Sequence, residues 1–519
     1  MPDNGLGEKD AEKNLALFYN LCNAAVNYPA GLSRYVHDFM LSSFISMTYF
    51  NEVEKNKLLH DSPWESYQVY LGLTGYNLDV LQRGMRGAVK MMADYARMEM
   101  NKGLSALYNT WWVKDGEDMA AFISRQAKIL DVVANVYPQA IEDIEPEFGF
   151  HFERDGHPKV AETDRFLLYQ ILPLKPQTEI RANAKPILIL PPYVLGANIL
   201  GFLPSENRSY AHCFANHGIP VYIRIAKDIA STPALQVMNG EDDAGDTRRF
   251  CETIKQRHGK PVTLNGYCQG GFNAVCDLLS GELDGLVDAL ITCVAPMDGT
   301  RSKGLADFLK TLPPRFNDLA YGTKTLPNGN QVADGKLMGW VYKIKSIEQE
   351  SPLAAFYRDL IMFNRQGTED VVISKTAAAL NYWLIHERFD LPLEITKLSF
   401  ASYNTPVAAD GTLPVKLFGR KLNFKRVQEK AIPWLICYGE QDDLVEQETA
   451  LAPRDYVDAE VSGFPKGHAA IATSWSDPRS ACALHTRFGE KNYRGPVRFQ
   501  LDLDAQLDQA PGKPKPGPL

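Results

Sequence analysis

The 519-residue chain is 45% hydrophobic and 23% charged, the balance of a folded globular protein and too apolar for a disordered one. Its formal net charge of −8 argues against a nucleic-acid partner, and its eight cysteines form neither CxxC pairs nor a disulfide framework. The polar, acidic start "MPDNGLGEKDAEKN" is unlike a signal peptide, and no apolar run reaches the length of a membrane span, so the expectation is a soluble, cytoplasmic protein.

Residues 1 to about 150 carry helical periodicity. In "DSPWES", Ser62 offers an N-cap, Pro63 a first helical residue and Glu65 the third position of a capping box. Leu78, Leu81, Met85, Ala88, Met92 and Tyr95 then recur at spacings of three and four, and Phe122, Ile129, Val133 and Val136 follow at seven, four and three. Such stripes are expected to pack on a core, with a partner-binding surface as the alternative.

From 151 to about 300 the pattern changes to short apolar runs, "PILILPPY", "IPVYIRIA", "PVTLNGY" and "DALITCVAP", the last three separated by helix-like stretches such as 242–258. The signature returns at "AIPWLICYG" (431–439). Buried strands alternating with helices predict an α/β fold with a mostly parallel sheet. Residues of about 300–400 are aromatic-rich and break the alternation, as an insertion does. Within "APMDGT", Asp298 suits a strand-end turn better than a polar group facing the insertion. The expected division is a helical domain over 1–150, a catalytic domain over 151–510 with the insertion at about 300–400, and a disordered Pro/Gly-rich tail, 511–519.

"VTLNGYCQGGFNAV" (262–275) runs from strand-like into helix-like sequence through Cys268. Gly266, two residues before it, and Gly270 and Gly271, just after it, let two backbones approach closely. This is the nucleophile elbow of α/β-hydrolases, with cysteine where serine is usual. The corner also puts the sulfur at a helix N-terminus, which favours negative charge there.

An elbow requires an acid and then a histidine further along the chain. "AIPWLICYGEQDDLV" supplies Asp442, with Asp443 as the alternative, and "VSGFPKGHAA" supplies His468. His485, in helix-like "CALHTRF", is the only later histidine and suits packing or exposure. His468 would take the Cys268 proton and Asp442 would hold the imidazole tautomer. Oxyanion donors would be the backbone N–H of Gln269 and one from "PPYVLGAN", at Tyr193 or Val194, since Pro191 and Pro192 have none. No metal cluster stands out.

These residues resemble the polyhydroxyalkanoate synthases over roughly 165–475. "PILILPPYVLGANILGFLPSENRSYAHCFANHGIPVYI" is similar to the family's double-proline strand and the helix after it. "GYCQGG" resembles its G-x-C-x-G-G, "LNYWLIHERFDLPLEITKLSF" its aromatic cap segment, and "LFGRKLNFKRVQEKAIPWLICYGEQDDLV" with "KGHAA" its acid and histidine. The resemblance implies a 3-hydroxyacyl-CoA substrate, acyl chains carried on Cys268, His468 as base, Asp442 as its orienter, and a polyester product with free CoA. It also implies a mobile cap over about 300–400, a homodimer, polymer-granule association, and no cofactor beyond the CoA of the substrate. The chain departs from the family at "IRIAKD", where Ser-Trp is usual, after Trp383, where no asparagine follows, and at Gln269, where a small apolar residue is frequent. A cysteine thioesterase or depolymerase would use the same triad with water as acceptor. A non-catalytic granule-associated protein is a third reading, which an intact triad argues against.

Overall fold

The computed structural model describes residues 5–58, 60, 62–112, 115–175, 177–181, 184–312, 319–365 and 371–474. His485 and the 511–519 tail lie outside the described residues. The chain divides into two compact units, Met1–Glu145 with Leu337–Tyr382, and Pro146–Lys336 with Trp383–Leu519. Part of the expected insertion, 337–382, therefore groups with the helical first 145 residues.

In the first unit, α1 (Gly5–Lys57) and α2 (Pro63–Trp112) are long helices, followed by α3 (Met119–Asp131) and α4 (Tyr137–Asp143). Ser62 does cap α2: the Glu65 N–H donates to its Oγ at 3.2 Å. The core joins Ile129, Val133, Tyr137 and Ile141 to Phe356, Leu360 and Phe363 of the helix Pro352–Asn364. Arg125, buried beside it, is held by Glu99 at 2.9 Å and Glu117 at 2.7 Å and donates to Asn364 Oδ1 at 2.9 Å.

The expected core stripe of α2 is mostly its exposed face. Ala88 is buried, but Leu78, Leu81, Met85 and Met92 are exposed. The face α2 buries is built largely from small residues, Gly84, Gly87, Ala88 and Ala106, because helix backbones come close there. A Cβ on Gly87 would lie 1.8 Å from the Glu348 carbonyl oxygen, and Ser351 Oγ donates to the Gly84 carbonyl at 3.0 Å. Periodicity of large side chains does not register such a face. A second difference follows from the π-helical turn Val132–Val136, which inserts extra backbone after α3. It turns Tyr137 into the core and leaves Val136, next in the expected stripe, exposed.

The second unit is organised by an eight-stranded sheet: β1 (Lys159–Glu162), β2 (Phe166–Ile171), β3 (Ile187–Leu190), β4 (Val221–Ala226), β5 (Val262–Tyr267), β6 (Val287–Cys293), β7 (Trp434–Gly439) and β8 (Glu460–Phe464). Its order is β1-β2-β4-β3-β5-β6-β7-β8, with only β2 running against the other strands. This is an α/β-hydrolase fold. The five apolar runs supply β3 to β7. β1, β2 and β8 escape the apolar-run criterion because their burial is partial or alternating. Two helices pack beside β5, α5 (Gly240–His258) and α6 (Gln269–Ser280). Asn239 caps α5 by accepting from the Glu241 and Asp242 N–H groups at 2.9 Å each, and Gly259 closes it at φ 68°.

The α2 face gives a paired prediction. Gly87→Ala should lower the stability of the first unit by several kcal/mol, since only backbone stands in the way of the new methyl group. Gly72→Ala and Gly75→Ala, with nothing within 4 Å, should raise it by about 0.5–1 kcal/mol through helix propensity. Thermal unfolding of the three variants checks both signs.

Candidate active site

Cys268 sits at the end of β5 as the residue before α6, with φ 51° and ψ −123°. A non-glycine residue rarely adopts this conformation, which costs on the order of 1–3 kcal/mol. The corner explains its glycines. A Cβ on Gly266 would stand 2.4 Å from Gly271 Cα, one on Gly270 would stand 2.3 Å from the Leu190 carbonyl oxygen, and one on Gly271 would stand 2.5 Å from Ala295 Cβ. β5 and α6 therefore meet with room for hydrogen atoms only. The Cys268 N–H is satisfied by the Cys293 carbonyl of β6 at 2.8 Å, fixing the corner to the sheet.

The acid and histidine come from the loops after β7 and β8. The Glu440 N–H donates to the Phe464 carbonyl at 2.8 Å and the Gln441 N–H to the Lys466 carbonyl at 3.1 Å, so the loops are tied backbone to backbone. That tie presents Asp442 Oδ2 to His468 Nδ1 at 2.8 Å. Asp442 Oδ1 accepts from the Leu444 and Val445 N–H groups at 2.9 Å each. The alternative, Asp443, is exposed. Tyr267 Oη donates to the His468 carbonyl at 2.7 Å, bracing the histidine loop from β5.

Burial opposes charge on His468, yet the Asp442 carboxylate, and after it Cys268, raise its proton affinity well above that of an ordinary histidine. No hydrogen bond joins His468 Nε2 to Cys268, for Nε2 is buried without a partner. Such loose geometry is common in resting sites and tightens with substrate.

The expected oxyanion donors lie on either side of Gln269. As the first residue of α6 it has a backbone N–H without an intrahelical acceptor. The loop after β3 brings in Tyr193 and Val194, but their N–H groups already donate to Gln269 Oε1, at 3.2 Å and 3.5 Å. The loop is clasped from behind as well. Trp383 Nε1 donates to the Leu195 carbonyl at 2.9 Å and the Phe389 N–H to the Val194 carbonyl at 3.3 Å.

A buried polar network anchors Tyr193, which sequence reasoning treated only as a backbone donor. Its hydroxyl donates to Asp243 Oδ1 at 2.6 Å and accepts from Arg224 at 2.9 Å. Arg224 pairs with Asp243 at 2.7 Å and donates to Thr247 Oγ1 at 2.6 Å. Burial would favour a neutral Arg224, but Asp243 holds it charged. Burial, then Asp243, keeps the Asp277 carboxyl protonated far above the usual range. The available signal was the charged residue inside "VYIRIA", a run otherwise wholly apolar in type. Asp298 takes the strand-end role, capping the 3-10 turn Gly299–Arg301 and pairing with Arg301 at 3.1 Å.

Glu387 was also missed. It is buried, accepts from Asn198 Nδ2 at 2.5 Å through Oε1, and leaves Oε2 without a partner. Burial pushes its carboxyl up to about 7. Among the described residues no cluster of three or more His, Cys, Asp or Glu is placed to hold a metal ion, and no helix is long and apolar enough to cross a membrane.

No family model matches the chain, and no curated protein matches it. Among solved structures it is similar to the esterase domain of a Rhodothermus marinus protein, at 13% identity over 62% of this chain and 90% of that one, with a TM-score of 0.31. It is also similar to a thioesterase domain from the curacin biosynthetic pathway (11% identity, 62% and 95% covered, TM-score 0.33). A third is DcsB in complex with a substrate analogue (12%, 62% and 93%, TM-score 0.34). The fold itself is given by the strand order and the corner.

Two outcomes follow. Asp442→Asn keeps an oxygen acceptor but removes the charge that raises His468. The imidazole should then titrate at lower pH by NMR, and turnover dependent on Cys268 should fall by about 10²–10⁴-fold. Glu387 bears on stability. With its folded pKa raised, it is neutral in both states at low pH, and stability is lost as pH climbs from about 4.5 through about 7. Glu387→Gln should therefore unfold at higher urea than the parent at pH 8, by up to about 3 kcal/mol, with the difference gone near pH 4.

Proposed function

We propose that the protein is a cysteine-dependent acyltransferase that polymerises 3-hydroxyacyl-CoA into a polyhydroxyalkanoate. One observation carries the acyl-transfer reading: a strained cysteine at a strand–helix corner, in one unit with a buried carboxylate–histidine pair 2.8 Å apart. That arrangement suits a nucleophile, its base and the base's orienter. The choice of a hydroxyacyl thioester and of polyester as product is supported by the resemblance of "GYCQGG", "YGEQDDLV" and "KGHAA" to the synthase family.

The chemistry takes two half-reactions. His468 Nε2 accepts the Cys268 Sγ proton, and the sulfur attacks the thioester carbonyl. The tetrahedral oxyanion collapses, the C–S bond to CoA breaks, and His468 returns the proton to the departing thiolate. Thiol-to-thioester exchange is nearly balanced in energy, so the acyl group stays activated on Cys268. A 3-hydroxyl then attacks this acyl-cysteine while His468 takes its proton. The new ester forms, the Cys268–acyl bond breaks, and the thiol is regenerated. Asp442 stabilises the imidazolium in both halves. The helix N-terminus of α6 favours negative charge on the attacking sulfur.

A thioesterase would run the same first half and use water in the second. Purified protein incubated with 3-hydroxybutyryl-CoA should release CoA and form insoluble polymer, with both abolished in Cys268→Ala. Release of CoA with free 3-hydroxybutyrate as the sole product would assign a hydrolase. Absence of CoA release with every acyl chain length tried would contradict both.

A further inference from the structure

Gln269 plays two parts in one place. Its backbone N–H is one expected oxyanion donor, while its side-chain oxygen occupies the other donors. Oε1 accepts from the Tyr193 N–H at 3.2 Å and from the Val194 N–H at the outer limit of 3.5 Å. One oxygen between two backbone N–H groups, beside the nucleophile, is the arrangement an oxyanion hole presents to its substrate. The side chain is held at its far end too, for Nε2 donates to Ser399 Oγ at 2.8 Å. Ser399 in turn donates to the Ile395 carbonyl at 3.1 Å, within the helix Leu393–Asn404. With 9% exposure, Gln269 makes these bonds away from solvent.

Physical chemistry supplies a reason for this. Val194 is buried, and buried N–H groups aimed at an absent ligand would be left unpaired, which is costly. Pro191 and Pro192 have no N–H of their own, so the donors of this loop begin at Tyr193. A small apolar residue at 269 could not satisfy them; a glutamine amide oxygen can. It cannot remain there when a substrate carbonyl oxygen takes the same donors.

We propose that Gln269 is an internal plug, its Oε1 standing in for the substrate oxyanion on Tyr193 and Val194 and leaving when a thioester enters. The inference rests on the acyl-transfer reading of Cys268. Acylation is then slowed by the bonds the plug must give up, whereas reactions of the thiol that need no oxyanion site are not. Ser399 sets how firmly the plug is held. The Gln269 side chain is a positioning group in this sense, while its backbone N–H, kept in every variant, remains an expected oxyanion donor.

The test compares the full-length parent with Gln269→Ala, Gln269→Glu and Ser399→Ala by two readouts. One is hydrogen exchange at the Tyr193 and Val194 amides. The other is the ratio of two Cys268 rates: first-turnover CoA release from 3-hydroxybutyryl-CoA by quenched flow, and alkylation by iodoacetamide, which needs no oxyanion donors. Gln269→Ala should lose amide protection and raise the ratio by roughly tenfold, the scale of two ordinary hydrogen bonds. Ser399→Ala should raise it less, and Gln269→Glu, with an anion on the same donors, should lower it. Unchanged protection in Gln269→Ala overturns the plug, as does lost protection with an unchanged or lower ratio. If every variant is alkylated at Cys268 and none releases CoA, the acyl-transfer reading fails instead, and the exchange data alone decide whether Gln269 holds the two amides.

Discussion

The close approach of β5 and α6 is the constraint on which the rest of the site depends. Without a side chain at 266, 270 or 271, the strand can turn straight into the helix, and the turn forces a positive φ onto Cys268. Three consequences come from that one contact. The sulfur sits at the end of the strand and the start of a helix, the next N–H is left without an intrahelical acceptor, and Leu190–Pro191 is drawn against Gly270, carrying the following loop to the Cys268 corner. Strain of this kind persists only where its surroundings enforce it, and here β6 does so through the Cys293 carbonyl.

Around the corner, the surrounding loops are held by backbone ties and by buried charge. The loops after β7 and β8 are tied to each other before any side chain meets, so the Asp442–His468 pair inherits its geometry from the sheet edge. The loop after β3 has support on two sides: Tyr193 in the Arg224–Asp243 network and the Leu195 carbonyl bonded to the Trp383 indole N–H. A charge pair as deeply buried as Arg224–Asp243 adds little to stability by itself, but losing one partner would leave the other uncompensated. The network thus restricts where the loop can settle, and with it where its N–H groups point.

How much of this was legible in the sequence depended on the kind of signal. The inner strands β3 to β7 showed as apolar runs because both their faces are covered, and the corner showed because glycines at fixed offsets have few other uses. Asp442 and His468 followed from chain order. What stayed hidden was mostly packing between small groups and polar contacts between distant residues. The face of α2 that is buried is lined largely by glycine and alanine, so the large apolar side chains of the helix mark its exposed face instead. A single π-turn was enough to move the periodic pattern off Val136 and onto Tyr137. Glu387 gave no periodic signal at all. Gln269 was marked as unusual in the sequence, but only three-dimensional geometry brings its side chain onto the Tyr193 and Val194 amides.

The central claim is that Cys268 forms a covalent acyl intermediate, and the most direct measurement is the mass of its peptide. Protein mixed with 3-hydroxybutyryl-CoA, quenched in acid within the first turnovers and digested, should yield a peptide containing Cys268 that is heavier by one or more 3-hydroxybutyryl units. The adduct should be cleaved by hydroxylamine, as a thioester is. An unmodified Cys268 peptide under conditions in which CoA is being released, or an adduct on another residue, would contradict the account.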